Sequence, residues 1–99
     1  MSLRGKVAKR WQHLPDSLKE DARILYTLAQ YELWRRATDL AANYAAAEVV
    51  QLEILFGKTY LQMSRKWMYN VLRQQIHESL LPEIELNRFL DHYDEHNRP

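Results

Sequence analysis

Lys66, Tyr69 and Arg73 recur at spacings of three and four, with Arg65 at the flank and Gln62, Asn70 and His77 in phase. A helix through them would gather cations and an aromatic ring on one face. Cations neutralise phosphates and a tyrosine stacks on a base, which makes Arg65, Lys66, Tyr69 and Arg73 a candidate nucleic-acid contact. The pattern is unspecific, because ordinary solvated helix faces carry such residues. Neither helix-turn-helix spacing, zinc ligands nor RNP-type strands accompany it.

A second group consists of charges among apolar neighbours. Glu32 and Arg36 interrupt the apolar face of their helix and stand four apart, acid first, the order that favours pairing along a helix. Glu53 lies between Ala46, Val49 and Phe56, where an unpaired carboxylate would be costly to bury. It is expected to reach Arg35 or Arg36, giving a buried polar network of Glu32, Arg36 and Glu53. His92 and His96 are also four apart, beside Asp91 and Glu95, a spacing that suits a metal. No HExxH motif or companion ligand appears, so no metal site is assigned. His77 beside Glu78 has the parts of a proton-transfer pair, although a solvated His is commoner. With Gly5 and Gly57 alone there is no phosphate-cradling loop, and no nucleophilic triad order occurs. No catalytic residue and no cofactor is implied.

Helices must position these groups. The central one is expected over residues 43–57, capped by Asn43 and ended by Gly57. Ala45, Val49, Leu52 and Phe56 form one stripe of it, while Ala46, Ala47, Val50, Ile54 and Leu55 carry apolar surface round most of the rest. A helix apolar on nearly every side must be enclosed by other helices or by a second chain. Before it, Leu3, Val7, Trp11 and Leu14 outline a short basic amphipathic helix over residues 2–13, with Trp11 packed inward. After Leu14-Pro15-Asp16, the pattern Ser17…Glu20 is a capping box. It opens a helix to about Ala37 with Leu18, Ala22, Leu25, Leu28, Ala29 and Leu33 on one face. Thr38 to Ala42 is expected to connect it to the central helix.

Beyond Phe56 the apolar period continues through Tyr60, Met63 and Trp67, but Gly57 and the capping pattern Thr59…Gln62 favour a break at residues 57–59. The next helix is expected over residues 60–80, with Leu61, Ser64, Met68, Val71, Leu72 and Gln75 on one side. Leu81-Pro82 ends it, and a final helix runs from Glu83 to about His96, turning Leu86, Phe89, Leu90 and Tyr93 inward. The fold class is therefore all-α: one domain over residues 1–99, a small antiparallel bundle of four main helices plus a short N-terminal amphipathic helix.

Composition agrees with an ordered helical chain: 46% apolar and 27% charged residues, two Gly and three Pro. There is no cysteine, which excludes disulfides and thiolate zinc sites. Neither a membrane span nor a secretory signal is apparent, so a cytoplasmic protein is expected. The net charge is only +1, but Arg4, Lys6, Lys9 and Arg10 precede any acid while Glu83, Glu85, Asp91, Asp94 and Glu95 crowd the other end. Such polarity suits solubility, a charged partner or head-to-tail self-association.

Residues 25–56, Leu-Tyr-Thr-Leu-Ala-Gln-Tyr-Glu-Leu-Trp to Asn-Tyr-Ala-Ala-Ala-Glu-Val-Val-Gln-Leu-Glu, resemble the two central helices of HEPN-type helical domains of bacterial defence and toxin systems. Ribonucleases of that family place a His four to six residues after an Arg. Here Arg73 to His77 and Arg88 to His92 each enclose three, so the resemblance implies a helical relative and not its catalysis. The reading that follows is a non-enzymatic interaction or assembly module, a homo-oligomer or a subunit of a larger complex, with Trp34, Tyr44, Phe56, Tyr60 and Trp67 as interface anchors. The alternative is a nucleic-acid-binding accessory protein using the Lys66 face. A HEPN-like ribonuclease comes third.

Overall fold

The computed structural model describes residues 3–36 and 40–97, with the side chains of residues 3 and 4 outside that description. The expected start at Ser2, the inward turn of Leu3, the helix end at Ala37 and the connection from Thr38 therefore lie outside the described residues. Six helices are described: α1 Leu3–His13, α2 Asp16–Arg35, α3 Ala41–Phe56, α4 Lys58–Leu61, α5 Arg65–Gln75 and α6 Glu83–Asn97. No strand occurs among the described residues, so the chain is all-helical. The helices fall into two compact units, Met1–Gln62 and Met63–Pro99. Among the described residues no helix is long and apolar enough to cross a membrane.

In the first unit, α2 and α3 pair antiparallel. Tyr26 meets Glu53, while Arg23, nearly a turn earlier in α2, reaches the Tyr60 carbonyl beyond the end of α3 at 3.1 Å. Trp11 of α1 is buried, stacked on Tyr60 with ring centroids 5.5 Å apart and set edge-on to Phe56 at 6.1 Å. Its other neighbours are Arg23 and Lys19, whose cationic groups lie 5.1 and 5.8 Å from its ring centroid. An amphipathic α1 held by its one tryptophan is what the sequence pattern predicts.

The helix boundaries differ from expectation wherever a side-chain cap is invoked. Helix α2 begins at Asp16, one residue before the expected cap Ser17, and no side chain caps it. Pro15, with φ fixed near its ring value, offers its carbonyl to the Leu18 and Lys19 amides, and Asp16 sits in the positive first turn. Helix α3 begins at Ala41, so Asn43 lies inside the first turn, its amide bonded to the Leu40 carbonyl at 3.1 Å, and is not the cap.

The break at Gly57 is present. Its φ of 86° ends α3, and its amide donates to the Glu53 carbonyl at 2.8 Å. Thr59 then lies within α4 and caps nothing; the working cap is Ser64, extended in backbone, whose Oγ accepts from the Trp67 amide at 3.2 Å. The next helix therefore starts at Arg65 and not at 60.

In the second unit, α5 stops at Gln75 and not near 80, because Ile76 turns extended. His77 organises the turn that follows, its Nδ1 accepting from the Ser79 amide and its carbonyl from the Leu80 and Leu81 amides. Helix α6 then follows Pro82 as expected. Leu86, Phe89, Leu90 and Tyr93 are all buried, as are Met68, Val71 and Leu72 of α5.

Candidate interaction surface

Helix α3 shows what its sequence leaves open, namely which of its apolar sides is covered. Ala42, Ala45, Val49 and Leu52 are buried and Ala41, Ala46, Glu53 and Phe56 partly so. At about 100° per residue these eight positions fill one half of the wheel. The other half reads, in order around the helix, Val50, Asn43, Ile54, Ala47, Gln51, Tyr44, Leu55 and Glu48, and every one is exposed. Tyr44 is 82% exposed, Ile54 64%, Val50 52% and Leu55 46%. The chain thus turns Ala42 and Ala45 inward with Val49 and Leu52, and leaves Tyr44, Val50, Ile54 and Leu55 at the surface.

A polar pin holds this orientation. Tyr26 of α2 is fully buried and its hydroxyl donates to Glu53 Oε1 at 2.7 Å while accepting from Gln30 Nε2 at 3.0 Å. Rotating α3 to bury Ile54 would withdraw Glu53 and leave the tyrosine hydroxyl without it, a loss of about 1–3 kcal/mol. The same contact corrects the expected network: Glu53 engages Tyr26, not Arg35 or Arg36. Glu32 and Arg36 pair along α2 at 3.0 Å, as their spacing predicts, but half-exposed and apart from Glu53. It also explains why α2 buries Ala22, Tyr26, Ala29 and Gln30, with Thr27 and Tyr31, while the expected core residues Leu18 and Leu25 stand exposed.

The expected interface aromatics are divided. Tyr44 lies on the outward arc. Phe56 and Tyr60 pack with Trp11, and Trp34 is partly buried beside Tyr31, ring centroids 6.3 Å apart. Trp67 is partly buried in the second unit. Sequence reasoning missed Val50, Ile54 and Leu55 as surface residues. The available signal was that they fall on the half of the wheel opposite Ala45, Val49 and Leu52.

The basic-aromatic stripe of α5 has partners that the sequence reading did not assign. Arg65 Nη1 bonds Asp91 at 2.7 Å and Asp94 at 3.1 Å, and Nη2 bonds the Asn87 side chain at 3.3 Å. The Asp91 hydrogen bond chiefly holds the Arg65 guanidinium above its ordinary range, against the opposing effect of burial and with help from Asp94. Tyr69 donates to both Glu83 carboxylate oxygens, at 2.8 and 3.0 Å. Arg73 Nη2 donates to the Leu81 carbonyl at 2.7 Å and to Glu83 at 3.3 Å. Residues 65, 69 and 73 thus face residues 83, 87, 91 and 94 along a polar seam between α5 and α6, and the spacing of four shared by 65, 69, 73 and by 83, 87, 91 was the sequence signal for it. Lys66 stays exposed. His92 and His96 stack at 4.2 Å, and His96 Nδ1 lies 2.9 Å from the His92 carbonyl. Among the described residues no group of three or more His, Cys, Asp or Glu could hold a metal.

No protein-family model, curated protein or solved structure matches the chain. The resemblance of residues 25–56 to HEPN-type helices, which here form most of α2 and α3, gains no support from these comparisons.

Proposed function

We propose that this chain is an assembly module that self-associates through the outward arc of α3. The observation that carries the reading is the divided burial of that helix, Ala42, Ala45, Val49 and Leu52 inward and Tyr44, Val50, Ile54 and Leu55 outward. A Val, Leu or Ile left in water forgoes about 1.5–3 kcal/mol relative to full burial, and a second surface laid on the arc recovers part of it. Neutral Asn43 and Gln51 interrupt the apolar residues, which keeps the arc compatible with water in the free chain and with hydrogen bonding in a complex. The nucleic-acid reading has less behind it: Lys66 is exposed, but any phosphate approaching Arg65 or Arg73 competes with Asp91, Asp94 and Glu83.

The test is size-exclusion chromatography with light scattering across a dilution series. A mass that rises from one chain toward two with concentration is expected. A single-chain mass at every concentration removes self-association.

A further inference from the structure

Charges around α3 bear on how two copies would meet. Glu48 is the only charged residue on the outward arc, and it makes no ion pair among the described residues. It shares an edge of that arc with Leu55. At the C-terminal end of α3, Arg10 of α1 donates from Nη1 to the Leu55 carbonyl at 2.7 Å, and exposed Lys58 follows Gly57. Arg10 therefore makes the end of the Glu48 and Leu55 edge basic, and Lys58 adds positive charge at the same end of the helix.

A two-fold axis lying in the interface across the helix direction turns the second copy end for end and keeps like edges together. The acidic part of each edge then runs beside the basic end of the other. A parallel pair instead sets the Glu48 and Leu55 edge of each copy beside the uncharged Val50, Asn43 and Ile54 edge of the other, so neither Glu48 nor Arg10 meets an opposite charge. Resting on the self-association proposed above, we infer that two copies pair antiparallel through α3. Gln51 of one copy lies opposite Ile54 of the other, while Glu48 lies beside Arg10 and near Lys58 of the second copy.

Charge reversal tests this register. Glu48→Lys and Lys58→Glu, each alone, should weaken association about tenfold, and the two together should restore it to within about twofold of the parent. If the parent dimerises but the double variant is as weak as the singles or weaker, the antiparallel register is wrong and self-association stands. A parent that stays monomeric sinks the reading beneath it.

Because the chain contains no cysteine, single-thiol variants give a second readout. The register sets two Gln51 positions about 5 Å apart along the helix direction and two Tyr44 positions about 25 Å apart. A short bis-maleimide should join Gln51→Cys copies and not Tyr44→Cys copies; the reverse pattern overturns the register.

Discussion

Helices α6 and α3 differ by one residue in length, 15 against 16, and distribute their large apolar residues differently. In α6 the large side chains Leu86, Phe89, Leu90 and Tyr93 are buried, and apart from Ile84 in the first turn the exposed positions are polar, among them Glu83, Arg88, Asp91 and Glu95. In α3 the buried set is Ala42, Ala45, Val49 and Leu52, and Tyr44, Val50, Ile54 and Leu55 are outside. Where charged residues occupy one side of a helix, only one rotation is favourable. Where both sides are apolar, hydrophobicity alone selects neither, and the rotation passes to close approach and hydrogen bonding. Small alanines let α3 come near α2, and the Tyr26–Glu53 bond then fixes the phase.

The contrast is most easily broken by truncating one large side chain on each helix. Phe89→Ala should cost about 3–5 kcal/mol, because a nearly inaccessible ring leaves a cavity. Ile54→Ala, measured in dilute protein, should stay within about 0.5 kcal/mol of the parent. Urea unfolding followed by circular dichroism measures both, and comparable losses would mean that α3 does not present Ile54 to solvent. Gly57→Ala should cost about 1–3 kcal/mol. Its φ of 86° disfavours any L side chain, and an added Cβ would meet Val7 Cγ1 at 2.8 Å and Tyr60 Cδ2 at 3.0 Å. Thermal unfolding of that variant shows whether the end of α3 is as fixed as its middle.

Tyr26→Phe should cost about 1–2 kcal/mol, by leaving Glu53 without its tyrosine donor. It also sharpens the contrast, since a neutral result in denaturant titration would mean that something other than this bond holds the outward arc in place.

The helical class, the inward residues of α6, the break at Gly57 and the docking of Trp11 were legible because each rests on a local pattern. Periodicity, a positive φ and an amphipathic stripe need no knowledge of distant residues. The capping residues were less so: Ser17, Asn43 and Thr59 are all of capping type, but α2, α3 and α4 begin after Pro15, Leu40 and Gly57, and among α2 to α5 only Ser64 caps with its side chain. The partner of Glu53 was misread because charge suggested an arginine, whereas the antiparallel pairing of α2 with α3 brings up Tyr26. For the same reason the Lys66 stripe read as a free basic face. Arg65, Tyr69 and Arg73 acquire their carboxylate partners only when α6 folds back along α5.

The central claim is that the outward arc of α3 is an interface, and sedimentation velocity of the parent and of Ile54→Lys, over the same wide concentration range, tests it most directly. The account predicts a parent that moves from monomer to dimer with concentration and a variant that stays monomeric with unchanged helical circular dichroism. Equal association by the two proteins would contradict it.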